Sequence, residues 1–137
     1  MPEGACIFCA IAAGEQPATI IEQDQHTVAF MDINPWARGH ALAIPRKHAE
    51  NLLEIDEQDL ARTYATAQRV AARMKERLGC DRVDLWNACG AAASQVVPHF
   101  HVHLVPHYAG DPDPLERIPR SKPEPPEVEA VGASLRD

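Results

Sequence analysis

Three histidines alternate with apolar residues in a short segment near the end of the chain. In a β-strand, successive side chains point to opposite faces, and next-but-one side chains lie about 6.6 Å apart. The apolar residues of this segment, which are Phe100, Val102 and Leu104, would therefore enter a core. The histidines would line the opposite face as one row, made of His99, His101 and His103.

Such a row has two chemical uses. A neutral imidazole is a nucleophile, and its ordinary pKa near 6.5 lets it become a hydrogen-bond donor after protonation. One histidine could attack an electrophile while another, protonated, supports the leaving group. Histidines also bind metal ions. Spacing alone leaves these uses open, beside the plainer interpretation of a polar outer sheet face.

The cysteines offer a second candidate for metal chemistry. Cys6 and Cys9 form a Cys-x-x-Cys pair, whereas Cys80 and Cys89 stand alone and are interpreted as small buried apolar residues. Four cysteines are too few for a disulfide scaffold. The pair either binds a metal or consists of two reduced, unliganded thiols.

The helices and strands that must position these residues are predicted from hydrophobic periodicity and from the residues that begin or end such elements. Apolar residues recur at spacings of three and four after Asp56, which predicts a long helix capped by Asp56 and ended by Gly79. A short helix is predicted over 10–17. Strands are predicted over 19–22, 27–31, 40–44, 82–86 and 96–105. This order indicates an α+β domain with a mostly antiparallel sheet.

Length and charge exclude some functions. The chain has 137 residues and a net charge of -7, which argues against general affinity for nucleic acid or an anionic membrane. An acidic body still allows one positive pocket for a small phosphorylated ligand. A membrane span needs an apolar run of roughly 18 to 20 residues, and this sequence has none. The first residues also lack the pattern of a secretory signal, so a cytoplasmic location is expected.

The composition changes towards the end of the chain. Residues 110–137 contain six of the 12 prolines. Such a segment has little apolar surface with which to offset the entropy of ordering. We predict a domain over 1–108 and a Pro-rich acidic tail over 109–137, extended or partly disordered, with a short helix at 126–136.

The histidine row and several other segments resemble the signature of the histidine triad (HIT) family. The matching residues, in the family's order and spacing, are Cys6 to Cys9, Ala29 to Pro35, Gly39 to His48, and around the row Gly90, Ala92, Ala93, Gln95 to His99, His101 and His103. The resemblance spans roughly residues 5–108. It implies a five-stranded antiparallel sheet with one long and one short helix, and a homodimer for which the helical stripe on 57–78 is a candidate surface.

The resemblance also implies a chemistry. Many family members hydrolyse or transfer nucleoside monophosphates through a covalent nucleotidyl-histidine. By motif position the nucleophile is His101, His103 donates to a phosphate oxygen or the leaving group, and Gln95 reaches the phosphate or the bridging atom. Backbone N–H groups between Gly90 and Gln95 would hold the phosphate.

The family's nucleotide-binding positions can be carried over one by one. Asp32 matches an acidic residue that binds the ribose hydroxyls, although an Asp in a turn before Asn34 is also a common cap. The positions that wall the base, or else pack in the core, are Ile7, Phe8, Phe30 and Ile33. Ser94 stands where many members have Gly, and Asn87 is the best match for the family's Asn but is one residue out of step.

A structural zinc site is implied for the branch of the family with Cys-x-x-Cys. Its ligands here would be Cys6, Cys9, His48 and His99, a closed tetrahedral set without an open position. No organic cofactor is implied. His40 matches a family histidine, for which support of the sheet is our interpretation.

The expected function is a hydrolase or phosphoramidase acting on a purine nucleotide or nucleoside phosphoramidate. Two alternatives stay open: a nucleotide-binding or sensing module with negligible turnover, and a hydrolase of dinucleoside polyphosphates. Turnover of a phosphoramidate and of a diadenosine polyphosphate separates the three.

Overall fold

The computed structural model of the protein describes residues 6–90 and 97–137. It consists of one antiparallel five-stranded sheet in the order β1-β2-β3-β5-β4 and three α-helices. The strands are β1 (Ile20–Gln23), β2 (Thr27–Met31), β3 (Ala41–Pro45), β4 (Arg82–Trp86) and β5 (Val102–His107). The helices are α1 (Ile7–Ala12), α2 (Glu57–Arg77) and α3 (Pro125–Ser134). The predicted α+β class and the five-stranded sheet are confirmed.

The long helix α2 begins and ends as its sequence predicts. The side chain of Asp56 accepts a hydrogen bond of 2.7 Å from the backbone N–H of Asp59, and Gly79 takes a φ of +71° just beyond the helix. The apolar stripe packs on the sheet, with Ala67, Val70 and Met74 buried in the main core. Tyr64 of the same stripe is 39% exposed, so the use of the stripe as a dimer surface stays a prediction.

The short helix α1 lies earlier than predicted, over 7–12 instead of 10–17. The reason is its cap: the Cys6 sulfur accepts from the backbone N–H of Cys9 at 3.3 Å. Cysteine is not among the usual N-cap residues, so sequence rules did not place the helix start there. Phe8 of α1 packs with Phe30 of β2 and Leu42 of β3 in a second core on the other face of the sheet.

Strand β5 starts at Val102, later than the predicted 96. The backbone before it is engaged in other contacts, since the N–H of His99 donates to the carbonyl of Val97 and that of Phe100 to the carbonyl of Ala49. The side-chain alternation nevertheless holds, because Phe100, Val102 and Leu104 belong to the core under α2. The histidine row lies on the other face, and that face is itself covered: His99 and His101 are buried.

The end of the chain contains a 3-10 turn (Pro114–Arg117) and then α3. The predicted tail helix at 126–136 is therefore present over Pro125–Ser134, and every residue of α3 is at least partly exposed. The division into a domain over 1–108 and a tail over 109–137 stays a prediction. Among the helices of the described residues, none is long and apolar enough to cross a membrane.

A matched pair of leucine variants tests this core. Leu104 is fully buried, whereas Leu53 is 86% exposed. Leu104→Ala should lower the free energy of unfolding by about 2–5 kcal/mol, because it leaves a cavity between sheet and helix. Leu53→Ala removes the same atoms and should change it by less than about 0.5 kcal/mol. Urea unfolding followed by circular dichroism measures both, and equal effects would contradict the packing described.

Candidate functional site

The three histidines of the row lie at the junction of β5 with the loop before it, and their rings are close neighbours. The ring centroids of His101 and His103 are 4.9 Å apart at an interplanar angle of 74°. The rings of Phe8 and His101 are nearly perpendicular, with 5.2 Å between centroids. The second core thus covers the triad from the α1 side and leaves His101 only 7% exposed.

The proton of His101 has a defined position. Its Nδ1 lies 2.7 Å from the carbonyl oxygen of His99. A carbonyl only accepts hydrogen bonds, so Nδ1 carries the proton and Nε2 carries the lone pair of the neutral ring. Burial lowers the pKa of His101 below its ordinary value, which favours the neutral form. The amide of Asn87 donates to the carbonyl of His101 at 2.9 Å and holds this backbone in place.

His103 is surrounded by three aromatic rings. His40 lies across from it, with its Nε2 2.9 Å from Nδ1 of His103. The indole of Trp36 stacks on His103 at 4.6 Å and 22°, and the ring of His101 closes the remaining side. Burial lowers the pKa of His103 to about 4, and the neighbouring rings of His101 and His40 act in the same direction. His103 is therefore neutral at pH 7.

Asp32 lies at one edge of the site, directly after β2. One carboxylate oxygen accepts from the backbone N–H of Asn34 at 2.8 Å, which is the turn cap named above as an alternative. The other oxygen lies 3.5 Å from Nε2 of His40. The carboxylate therefore both caps the turn and faces His40.

The residues expected to wall a base divide into two groups. Phe8 and Phe30 are buried and meet edge to face at 5.5 Å, as core residues do. Ile7 and Ile33 are exposed, Ile33 to 88%. Gln95 and Ser94, with most of the loop that follows Gly90, lie outside the described residues.

Four possible metal ligands converge on the other side of the row. The ligand atoms of Cys6, Cys9, His48 and His99 all lie within 4.8 Å of one another. Three sulfur–nitrogen pairs among them are 3.2 to 3.4 Å apart. Around a tetrahedral zinc ion with ordinary bond lengths, a sulfur and a nitrogen lie about 3.5 Å apart. The donor set and its spacing therefore fit zinc.

The hydrogen bond at the second ring nitrogen of His99 is consistent with a role of this residue as a metal ligand. Its Nε2 lies 2.8 Å from the carbonyl oxygen of Pro45, so the proton is on Nε2 and the lone pair on Nδ1 faces the two sulfurs. Burial lowers the pKa of His99 to about 4, which keeps this ring neutral. A neutral imidazole with its second nitrogen bound to a carbonyl is the usual form of a metal-binding histidine.

A cavity of about 860 Å³ lies along the same sheet face beyond His103. Trp86, which pairs with His103 in the sheet register, and Trp36 both line it, so the chain's two tryptophans share one cavity. Most of its wall is apolar, and Arg38, Asp84, His107 and Asp111 supply charged or titratable groups. The cavity has room for a group about the size of a small ligand.

Sequence reasoning missed two contributors to this site. His40 was interpreted as sheet support, and Trp36 was not singled out. A signal for His40 existed, since period-2 alternation puts it on the same face as Leu42, which pairs with His103. Trp36 lies in the loop between β2 and β3, where periodicity gives no such signal.

Comparison with known proteins agrees with the fold and the histidine row. The HIT domain model matches residues 13–110. The chain belongs to the HIT family. It is 40% identical over 106 residues to an uncharacterized HIT-like protein of Methanocaldococcus jannaschii, with 77% of this chain and 81% of that protein covered.

Two solved HIT structures are similar over most of this chain. A Zn-bound histidine triad family protein from Mycobacterium smegmatis is 34% identical, with a TM-score of 0.77, and 98% of this chain and 97% of that chain are covered. A hypothetical histidine triad nucleotide-binding protein from Sulfolobus tokodaii is 33% identical, with a TM-score of 0.74, and 93% and 87% are covered.

Histidine titration distinguishes the triad from the surface. The hydrogen bond to Asp81 raises the pKa of His107, whereas burial lowers that of His103 to about 4. The ring signals of His107 should therefore shift above pH 6.5 and those of His103 stay constant down to about pH 5. Two-dimensional NMR of the ring C–H groups measures both, and an ordinary pKa for His103 would contradict its described environment.

The same shifts have opposite consequences for stability. The His107–Asp81 contribution is fully present below pH 6.5 and is lost as the pH rises through the folded-state pKa of His107. For His103 the unfolded chain binds the proton first, so stability falls as the pH decreases from 6.5 towards about 4.

Proposed function

We propose that this HIT protein is a nucleotide-binding hydrolase that releases a nucleoside monophosphate through a covalent nucleotidyl-His101. The observation that carries the proposal is the 2.7 Å hydrogen bond from Nδ1 of His101 to the carbonyl of His99. It leaves Nε2 with a lone pair on a buried, neutral ring, which is the state in which imidazole is a nucleophile. Membership of the HIT family and similarity to a protein described as nucleotide-binding support the same conclusion.

The reaction is a double displacement at the α-phosphorus. Nε2 of His101 forms a bond to phosphorus, and the bond to the leaving amine breaks. The amine takes the electron pair of that bond and a proton from solvent. Water then attacks the phosphorus, the bond to Nε2 breaks and returns its electron pair to the ring, and the water proton goes to solvent. The carbonyl of His99 stabilises the positive charge on the nucleotidylated ring, because Nδ1–H still donates to it.

The surrounding residues bind and orient the nucleotide in this proposal. His103 donates to a phosphate oxygen or the leaving atom, and Gln95, Ser94 and the loop after Gly90 hold the phosphate. Asp32 binds the ribose with the oxygen that does not cap the turn. The base lies against the wall formed by Ile7, Phe8, Phe30 and Ile33. Asn87 keeps His101 in position through its carbonyl.

The composition of the cavity beyond His103 favours a phosphoramidate over a dinucleoside polyphosphate. A polyphosphate needs several cations, whereas the cavity is lined by one arginine, Arg38, together with the carboxylates of Asp84 and Asp111. Its largely apolar wall suits an uncharged or cationic leaving group. We therefore propose a nucleoside phosphoramidate, with a purine base, as the substrate class.

We further propose that Cys6, Cys9, His48 and His99 bind a structural zinc ion. When bound, the ion supplies a crosslink between α1, the segment after β3 and the histidine row. It takes no part in the displacement, since the four protein ligands complete a tetrahedral set. Similarity to a Zn-bound HIT protein supports this assignment. The homodimer that the family resemblance implies is likewise kept as a proposal.

The nucleophile is tested by a pair of histidine variants. His101→Ala should reduce AMP release from an adenosine phosphoramidate at least about a thousandfold, with AMP affinity nearly unchanged, because the covalent route is lost. His26→Ala, in the turn between β1 and β2, is the matched control and should retain wild-type turnover. Release is measured by chromatography and the intermediate by intact mass after acid quench.

The outcomes separate the three candidate functions. AMP binding without turnover or covalent adduct would favour the binding module and overturn the proposed hydrolase. Faster turnover of a diadenosine polyphosphate than of the phosphoramidate would favour the polyphosphate hydrolase. Normal turnover by His101→Ala would remove His101 as the nucleophile.

The zinc assignment is tested by metal content. The purified protein should contain about one zinc per chain, and Cys9→Ala should lose most of it together with thermal stability. Cys89→Ala, which removes a cysteine outside the cluster, should keep the zinc. Plasma mass spectrometry and thermal unfolding with and without a chelator measure these effects, and a zinc-free wild type purified without chelator would refute the assignment.

A further inference from the structure

His107, the last residue of β5, contacts both the residue before β4 and the turn that follows β5. Its Nδ1 lies 2.8 Å from a carboxylate oxygen of Asp81, and its Nε2 lies 3.2 Å from the carbonyl oxygen of Asp111. Asp111 closes a turn over residues 108–111, the tail turn. We propose that the His107 imidazolium is a pH-sensitive switch that holds the tail turn against the sheet and so keeps the cavity beyond His103 partly covered. The switch does not depend on the reaction proposed above.

The two oxygen atoms beside the ring of His107 require two protons on it. A carboxylate and a carbonyl oxygen only accept hydrogen bonds, and a neutral imidazole has one N–H group to donate. Both distances are within the range of N–H···O hydrogen bonds, so the arrangement fits the doubly protonated ring. The hydrogen bond between His107 and Asp81 raises the pKa of His107 and lowers the pKa of Asp81, which favours the same ion pair.

Charged groups on the neighbouring elements also act on this ion pair. Arg82 pairs with His107 in the sheet register and opposes the imidazolium charge. The guanidinium of Arg82 is itself ion-paired with Asp84 at 3.2 Å and with Asp113 at 3.3 Å. The remaining charged groups contact other atoms: Lys75 of α2 donates to the carbonyl of Asp81, the Asp111 carboxylate accepts from the N–H of Tyr108, and Arg38 lies over the Tyr108 ring. The hydrogen-bonded carboxylate of Asp81 is therefore the main influence on the charge of His107.

The tail turn forms part of the wall of the cavity. Asp111, Pro112 and Pro114 line the cavity from the tail, whereas Trp36 lines it from the loop after β2 and Trp86 from β4. A movement of Asp111 away from the sheet would therefore widen the cavity and uncover its apolar wall.

The bond from His107 attaches the far end of the tail turn to the sheet. The backbone N–H of Tyr108 donates to the Asp111 carboxylate at 2.9 Å, but this bond lies within the turn and maintains only its shape. A later contact with the sheet, the ion pair of Asp113 with Arg82, joins side chains that are 45% and 42% exposed, and such pairs contribute little. Loss of the bond to Asp111 would therefore allow this part of the tail to move.

Deprotonation of His107 removes this bond in preference to the other. The neutral ring has one N–H, and the carboxylate of Asp81 is a stronger acceptor than the carbonyl of Asp111. Besides the bond to Asp81, the bond to the Asp111 carbonyl also raises the pKa of His107, so the held turn and the proton stabilise each other. The tail turn is therefore held below the folded-state pKa of His107 and is released as the pH rises through it.

Acrylamide quenching of tryptophan fluorescence measures the opening on the full chain without nucleotide. Both tryptophans of the chain line the cavity, and Trp86 is 37% exposed with the turn in place, so their accessibility to this uncharged quencher reports the width of the cavity. Between about pH 6 and about pH 9 the lifetime-corrected quenching constant should rise about 1.5-fold. The midpoint should equal the pKa of His107, measured by NMR of its ring protons in the same buffer.

Substitutions assign the transition to His107. His107→Gln has no charge to lose, so its quenching constant should be high and independent of pH. His107→Arg keeps a charged group with several donors at every pH, so its constant should be low and independent of pH. Asp81→Asn removes the carboxylate that raises the pKa of His107, so the midpoint should move to lower pH. His26→Gln is the matched control and should keep the wild-type transition.

Each result supports or overturns the switch. A wild-type quenching constant that stays the same while the ring of His107 titrates would overturn it, as would a transition that persists in His107→Gln. If the variants do not fold, agreement or disagreement between the quenching midpoint and the NMR pKa of the wild type still decides. Because no nucleotide is present, failure of the proposed hydrolase leaves this test unchanged.

Discussion

One residue, His99, connects the two chemical centres of this protein. Its Nδ1 faces the sulfurs of the cysteine pair, its Nε2 is bonded to the carbonyl of Pro45, and its own carbonyl accepts the proton of His101. A displacement of His99 would therefore change both the cysteine–histidine cluster and the tautomer of the proposed nucleophile. The cluster of Cys6, Cys9, His48 and His99 is therefore continuous with the triad, because His99 belongs to both.

The buried position of the triad has a chemical consequence. Two of the three rings have a pKa lowered to about 4 and the third is lowered as well, because burial disfavours the charged imidazolium. Chemistry at this site consequently depends on which nitrogen of each neutral ring carries the proton. Backbone groups make that choice, and they do so differently for adjacent rings of the row.

Sequence predicts an element correctly where interactions between residues close in the chain determine its boundaries. The stripe, the cap at Asp56 and the left-handed Gly79 define α2 without help from the rest of the chain. Sequence prediction failed by several residues at α1, where a cysteine acts as the cap, and at β5, where the bonds of His99 and Phe100 to Val97 and Ala49 delay the strand. In both cases the deciding contact is made by a group that has no distinctive sequence signal. Only the folded chain brings that group into contact with the end of the element.

The sequence by itself determined which chemical groups this protein has and their order along the chain: the alternating histidines, the cysteine pair and the acidic residue before the turn. Only the tertiary structure decided the protonation pattern. The deciding partners are the carbonyls of Pro45 and His99 and the N–H of Trp36, and every residue carries a backbone carbonyl and every residue except proline a backbone N–H. Side-chain type cannot reveal which backbone atom a folded loop will bring to within 3 Å of a ring nitrogen.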